Sequence, residues 1–103
     1  MEYRLDNYTR NPEFLTSRLA QNCKARRLEK GYSRRTLSKL TGIPSPTIER
    51  FERTGKISLE SFCKLLIHFD YFDEARQLLS KTKYSTMDEL NVINHNRNRQ
   101  KGR

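Results

Sequence analysis

Residues 33–52 have the sequence SRRTLSKLTGIPSPTIERFE, and the helix boundaries in this stretch can be predicted from its prolines and its glycine. It contains two helix starts, one glycine between them at Gly42, and two prolines within three residues. Two prolines this close normally break a helix, but a proline at the first helical position costs no hydrogen bond. A residue before proline avoids the helical region, so Ser45 is predicted to be extended, as an N-cap must be. The stretch therefore predicts a short helix from Ser33 to Gly42 and another that begins near Pro46.

The segment before this stretch predicts one longer helix. Asn11 is suited to the N-cap and Pro12 to the first turn, and the helix is expected to continue to about Lys30 and to stop at Gly31. The residues predicted to face inward from this helix are Leu15, Leu19, Ala20, Cys23 and Leu28. The inward residues predicted for the next two helices are Leu37, Leu40, Thr41, Ile48 and Phe51, with Ile43 filling the turn between them.

Four segments follow: a turn at Arg53–Lys56, a helix from Leu59 to about Phe69 that Ser58 caps, a helix near Phe72–Leu79, and a short turn at Met87–Leu90. Asn91–Arg103 is rich in Asn and Arg and is predicted to be disordered on its own. The chain is thus predicted to be an all-α protein of five short helices. Residues 1–11 form an N-terminal arm, residues 12–80 the folded domain, and residues 81–103 a flexible, basic C-terminal extension.

Composition and charge indicate the size of the domain and the kinds of partner that the chain could bind. A chain of 103 residues with 34% apolar residues fits one domain with a small core, which often gains stability by dimerising. The net charge is +9, and the basic excess lies in residues 12–56 and 91–103, whereas residues 57–90 are slightly acidic. A basic half suggests a nucleic acid, and a near-neutral segment suggests a protein-binding surface. The alternative is that these charges form only a solvated surface.

Several function classes find no support in the sequence. It has no run of about 18 apolar residues and no apolar signal stretch, which predicts a cytoplasmic protein without a membrane segment. Cys23 and Cys63 lack metal-ligand spacing and are predicted to be small core residues, with a disulfide between them as the alternative. No nucleophile–base set, glycine-rich phosphate loop or carboxylate pair is evident. We therefore expect no enzymatic activity, no catalytic residue, no metal and no cofactor.

Two short helices joined by a turn with one glycine form the helix-turn-helix pattern. The stretch Ser33–Glu52 resembles the Cro and phage-repressor type of this motif, the XRE family, at Leu37, Gly42, Ile43, Ile48, Phe51 and Glu52, and in the first helix at Arg27 and Gly31. The resemblance implies a lambda-repressor-like domain of five helices, a homodimer on a two-fold DNA operator, and no enzymatic activity. It also implies a buried ion pair between Arg27 and Glu52. The chain departs from the family at Arg34, where Gln is frequent, and at Pro44 and Pro46, so part of the usual base readout is lost.

The helix from about Pro46 to Glu52 is expected to read the major groove. Arg50 is the main candidate for bidentate bonds to guanine, and its alternative role is a phosphate contact. The other candidates for base reading are Ser45, Pro46 and Thr47, although Ser45 and Pro46 can also be explained by helix initiation alone. The candidates for phosphate contacts are Arg34, Arg35, Arg53 and Lys56.

These features predict a bacterial, sequence-specific regulator of transcription, a dimeric repressor that binds double-stranded DNA and associates with the nucleoid when bound. Asp70–Asp73 and the fifth helix are the expected dimer surface. Arg50–Ser61, with Met87–Leu90 and the basic tail, also resembles HipB-type antitoxins, which are found beside HipA-like kinase toxins. That resemblance implies an alternative function, an antitoxin that binds such a kinase and autoregulates its operon. In a third interpretation, Arg97–Lys101 acts as a basic arm in a DNA groove.

Overall fold

The computed structural model describes residues 9–83 and 87–97, and every regular element in these ranges is an α-helix. The helices are α1 (Pro12–Glu29), α2 (Arg34–Thr41), α3 (Ser45–Thr54), α4 (Leu59–His68), α5 (Phe72–Arg76) and α6 (Met87–Arg97). The chain forms two compact units, Met1–Tyr71 with α1 to α4 and Phe72–Arg103 with α5 and α6. None of these six helices has the length and apolar character that crossing a bilayer requires. The all-α prediction is confirmed.

Side-chain caps begin three of the four helices of the first unit. Each cap is an extended residue whose side-chain oxygen accepts a backbone N–H that the helix itself leaves without a partner. The caps and the N–H donors are Asn11 and Phe14 at 2.8 Å, Ser33 and Thr36 at 3.0 Å, and Ser58 and Ser61 at 3.1 Å. The predicted starts of α1, α2 and α4 are therefore confirmed.

The end of α3 differs from the prediction of a turn at Arg53–Lys56, because the helix continues to Thr54. The Thr54 hydroxyl donates to the carbonyl of Arg50 at 2.7 Å and accepts the N–H of Lys56 at 3.1 Å. Gly55 then ends the helix with φ of +79°, and its N–H donates to the carbonyl of Phe51 at 2.7 Å. The left-handed conformation at Gly55 is the reason that the turn begins later than predicted.

Gly55 also lies close to α1, which leads to a testable prediction. A Cβ atom at Gly55 would lie 3.1 Å from the backbone carbonyl carbon of Thr16, whereas a Cβ atom at Gly42, which has nearly the same φ of +80°, would meet nothing within 4 Å. Both substitutions by alanine pay the cost of positive φ, but only Gly55→Ala forces two backbones apart. We expect Gly55→Ala to lower the free energy of unfolding by about 1 kcal/mol more than Gly42→Ala does in urea denaturation. Equal losses would contradict the close approach of α1.

The core of the first unit is built by all four of its helices and by the turn between α2 and α3. Its buried apolar side chains are Ala20, Leu37, Ile43, Ile48, Phe51, Leu65 and Phe69. The predicted inward positions of Ile48 and Phe51, and the predicted filling of the turn by Ile43, are confirmed. The Phe51 ring meets the ring of Phe62 edge-on, with 5.8 Å between the centroids. These contacts fix α3 from one side only.

Some of the predicted core residues are not in the core. Leu15, Leu28 and Leu40 are 57%, 56% and 52% exposed, so the prediction that they face inward is wrong. α1 buries Ala20 and Arg27 instead. α1 packs mainly on α3, through the side of the helix that carries these two residues.

The two cysteines are free thiols, so the disulfide alternative is wrong. Cys23 is half-buried against the core, but Cys63 is exposed and its prediction as a core residue is wrong. Burial, with a smaller contribution from the charge of Glu52, raises the pKa of the Cys23 thiol to about 11. That thiol is therefore protonated at neutral pH, and a protonated thiol is a poor nucleophile.

The second unit corrects the predicted extent of the fifth helix and the predicted tail. α5 ends at Arg76 and not at Leu79, which is fully exposed with φ of +65°. α6 continues to Arg97, so the prediction of a short turn followed by disorder is wrong for residues 87–97. No proline or glycine interrupts that segment. The N-terminal arm up to residue 8 and the tail from residue 98 lie outside the described residues.

Candidate nucleic-acid interface

The first turn of α3 forms in a different way from the one that the sequence predicts. Pro44 is the N-cap, with φ of −57° and ψ of 140°, and its carbonyl accepts the N–H groups of Thr47 at 2.9 Å and Ile48 at 3.1 Å. Ser45 is therefore the first helical residue, and its predicted role as N-cap is wrong. The proline ring fixes φ at a value that suits the cap, so no side-chain oxygen is needed. Pro46 falls one position later than predicted, where a missing N–H is also harmless.

The side of α3 that faces away from the core carries Arg50. Its side chain is exposed and makes no hydrogen bond or ion pair with any described residue. Pro46 is exposed too, while Ser45 and Thr47 are half-buried at the start of the helix. Ile48, which is 1% exposed, anchors α3 from the opposite side. The predicted base-reading residues therefore lie along the first two turns of one helix.

Three of the predicted phosphate-binding cations flank α3 with exposed side chains. Arg35 lies in the first turn of α2, Arg53 in the last turn of α3, and Lys56 directly after Gly55. The guanidinium of Arg53 bonds to the carboxylate of Glu49 at 2.9 Å, one helical turn earlier. Exposed pairs of this kind contribute about 0–1 kcal/mol, so a phosphate could replace Glu49 as the partner of Arg53 at small cost.

A buried cluster of charges joins α1, α2 and α3 behind this surface. Glu52 receives two bonds from the guanidinium of Arg27, at 2.7 Å from Nε and 3.0 Å from Nη2. Nη1 of Arg27 donates to the carbonyl of Tyr32 at 2.8 Å. The side chains of Arg27 and Glu52 are 7% and 4% exposed, so this is a buried pair with its hydrogen bonds made.

The fourth phosphate candidate, Arg34, is part of the same cluster. Its Nε donates to Oε1 of Glu52 at 2.9 Å, and its side chain is 39% exposed. The sequence did not predict this contact. The side chain of Arg34 is long enough to reach back from the start of α2 to the end of α3, but no local sequence pattern indicates that it does so.

Burial and ion pairing shift the pKa of the Glu52 carboxyl in opposite directions. Burial alone would raise the pKa of the Glu52 carboxyl, but the hydrogen bonds and positive charges of Arg27 and Arg34 outweigh it and hold the pKa below its ordinary value. Glu52 is therefore ionised at neutral pH. With two guanidinium groups around one carboxylate, the cluster has a net charge of +1, and the excess lies on Arg34, its most exposed member.

Two apolar grooves lie between α1 and α4, on surfaces that do not include the outward side of α3. The larger, of about 290 Å³, is lined by Leu19, Asn22, Cys23, Arg26, Phe62, Leu65, Leu66, Phe69 and Tyr71. The smaller, of about 190 Å³, is lined by Thr16, Leu19, Phe51, Gly55, Ile57, Leu59 and Phe62. Because both include Leu19 and Phe62, they form one continuous apolar face.

The described residues contain no group of three or more His, Cys, Asp and Glu side chains that could hold a metal ion. His68 packs on aromatic rings, with centroids 5.7 Å from Tyr32 and 5.3 Å from Phe69.

The chain matches no protein-family model, no curated protein and no solved structure.

Proposed function

We propose that this chain is a sequence-specific regulator of transcription that binds double-stranded DNA, with α2 and α3 as a helix-turn-helix of the Cro and phage-repressor type. One observation carries the proposal: α3 is held from its inner side by Ile48 and Phe51, while its outer side presents Arg50, which is exposed and has no partner among the described residues. A helix anchored in this way can enter the major groove, where a guanidinium can bond to O6 and N7 of guanine.

The charge around α3 supports this function. Arg53 lies on α3, Lys56 follows it and Arg35 lies on α2, which packs against α3, and the chain as a whole carries +9. Each phosphate that a cation neutralises releases condensed counterions, which drives binding at low salt.

The buried cluster supports the same function through the orientation of α3. The pair of Arg27 and Glu52 ties the end of α3 to α1, and it is the pair that the family resemblance implies. A reading helix must keep its side chains within about 0.5 Å of their positions at the base edges, because hydrogen-bond readout tolerates little displacement. A rigid link at the last turn of α3 meets that need.

The test is binding of duplex DNA chosen by selection from random fragments. We expect Arg50→Ala to weaken binding to the selected duplex by about 1–3 kcal/mol while changing the affinity for scrambled duplex much less. Arg35→Ala is the matched control, and it should weaken both duplexes alike and reduce the salt slope by about one. Fluorescence anisotropy across a salt series measures both quantities. If Arg50→Ala, like Arg35→Ala, lowers the affinity for selected and for scrambled duplex by the same factor, α3 is not the reading helix.

We further propose that the regulator is a homodimeric repressor whose two copies of α3 lie about 34–36 Å apart, one turn of DNA. The side chain of Phe72, the first residue of α5, is 52% exposed, which is consistent with a dimer surface on α5. A monomer in light scattering at micromolar concentration would contradict this part of the proposal.

The apolar face between α1 and α4 favours a second candidate function, an antitoxin of the HipB type that also binds a HipA-like kinase. Leu59, at its edge, is 76% exposed, and the face leaves the outer side of α3 free for DNA. Co-purification with such a kinase, lost in Leu59→Asp but kept in Arg50→Ala, would distinguish the antitoxin from a regulator that acts alone.

A further inference from the structure

In the contact between Arg34 and Glu52, the arginine uses only one of its N–H groups. Only Nε of Arg34 is used, at 2.9 Å from Oε1, and its two Nη groups make no hydrogen bond with the described residues. A guanidinium has five N–H donors in a fixed plane, so four of them stay available. Glu52 therefore binds the Nε–H of Arg34 and leaves both Nη groups available for another acceptor.

Arg34 is more exposed than the two other members of the cluster, Glu52 and Arg27. Glu52 and Arg27 are 4% and 7% exposed, whereas Arg34 is 39% exposed. Oε1 of Glu52 accepts from both guanidinium groups, so the deeply buried pair acts as the fixed point and Arg34 extends from it towards solvent. Arg34 is also the first residue of α2, where the adjacent backbone N–H groups favour an anion.

We propose that Glu52 is a positioning residue for DNA binding, which fixes the Arg34 guanidinium so that its Nη groups meet a backbone phosphate without a further loss of side-chain freedom on binding. The inference rests on the proposed DNA-binding function and adds a second role to the buried ion pair. A free arginine loses rotamer freedom when it binds, while one that is already held does not. Lysine could not replace Arg34, because one ammonium group cannot bridge a carboxylate and a phosphate with the same fixed fork.

A double-mutant cycle tests the coupling. Arg34→Gln is measured in the wild-type protein and in Glu52→Gln, with the dissociation constant for the selected duplex as the readout. We expect Arg34→Gln to weaken binding about tenfold in the wild type and about twofold in the Glu52→Gln background, where Arg34 is no longer held. Arg35→Gln is the matched control, since Arg35 lies on the same helix and has no carboxylate partner in the described part of the chain. It should weaken binding by the same factor in both backgrounds.

A second measurement does not depend on DNA. In ¹⁵N-detected NMR of the free protein, the Arg34 Nε–H should exchange with water more slowly than the Arg50 Nε–H, and Glu52→Gln should remove the difference. Arg34→Lys, which keeps the charge and the fold, should weaken binding nearly as much as Arg34→Gln does. This variant tests the proposal even if Glu52→Gln does not fold.

The outcomes separate the two proposals. If the wild-type chain binds no duplex, the proposed function fails and this inference fails with it. If the wild type binds but Arg34→Gln has the same factor in both backgrounds, or Arg34→Lys restores full affinity, only the positioning role of Glu52 is overturned. Equal exchange rates for the Nε–H groups of Arg34 and Arg50 would overturn it as well.

Discussion

Replacement of Glu52 by alanine is expected to lower the free energy of unfolding by about 3–5 kcal/mol, because it leaves a buried guanidinium without its carboxylate. Arg27 is 7% exposed and would keep only the carbonyl of Tyr32 as a partner. Arg34 would then add a second positive charge beside it. Arg27→Ala should cost less than Glu52→Ala, since Arg34 remains to pair with the carboxylate.

Urea denaturation followed by circular dichroism at neutral pH measures these differences. Glu49→Ala is the matched control, because Glu49 is a carboxylate on the same helix with an arginine partner, but its side chain is 42% exposed. We expect this control to lose about 0–1 kcal/mol. A loss in Glu52→Ala no larger than that of Glu49→Ala would show that the buried cluster does not stabilise the unit. The same result would remove the rigid link on which the orientation of α3 depends.

The pH dependence of stability is an independent test of whether the ionised Glu52 carboxylate stabilises the fold. The pKa of Glu52 is lower in the folded chain than its ordinary value of 4.5, because the bonds and charges of the two arginines outweigh the effect of burial. A group whose pKa is depressed by folding stabilises the fold above its unfolded pKa, and this contribution is lost as pH falls through the folded pKa. The difference in stability between wild type and Glu52→Ala should therefore be full at pH 6–7 and decrease on acidification below about pH 4.5.

The sequence allowed much of the local structure to be predicted, since caps and turns depend on neighbouring residues. Asn11, Ser33 and Ser58 each have a side chain that competes for the first N–H groups of a helix, and each begins a helix. The start of α3 was misplaced by one residue because Pro44 can act as a cap without a side-chain oxygen. Helix ends of this kind are decided by small differences in backbone energy.

The candidate site was predictable to the extent that it depends on the spacing along α3. The positions of Ile48 and Phe51 on the inner side fix Arg50 on the outer side, because helical periodicity relates them. The contact between Arg34 and Glu52 joins residues 18 apart in sequence and exists only once α2 and α3 have packed together. No local pattern encodes such a contact, so it could only be seen in the structure.

Leu37→Ala is expected to lower the free energy of unfolding by about 2–5 kcal/mol, whereas Leu40→Ala should lower it by less than about 0.5 kcal/mol. Both residues are leucines in α2 and both were predicted to face inward, but Leu37 is 2% exposed and Leu40 is 52% exposed. Because the same substitution is made in one helix of eight residues, helix propensity is the same in the two variants and only burial differs. Thermal and urea denaturation of both variants measure the contrast. Similar losses at the two positions would mean that α2 is rotated about its axis, and Arg34 would then be too far from Glu52 for the contact on which the positioning role depends.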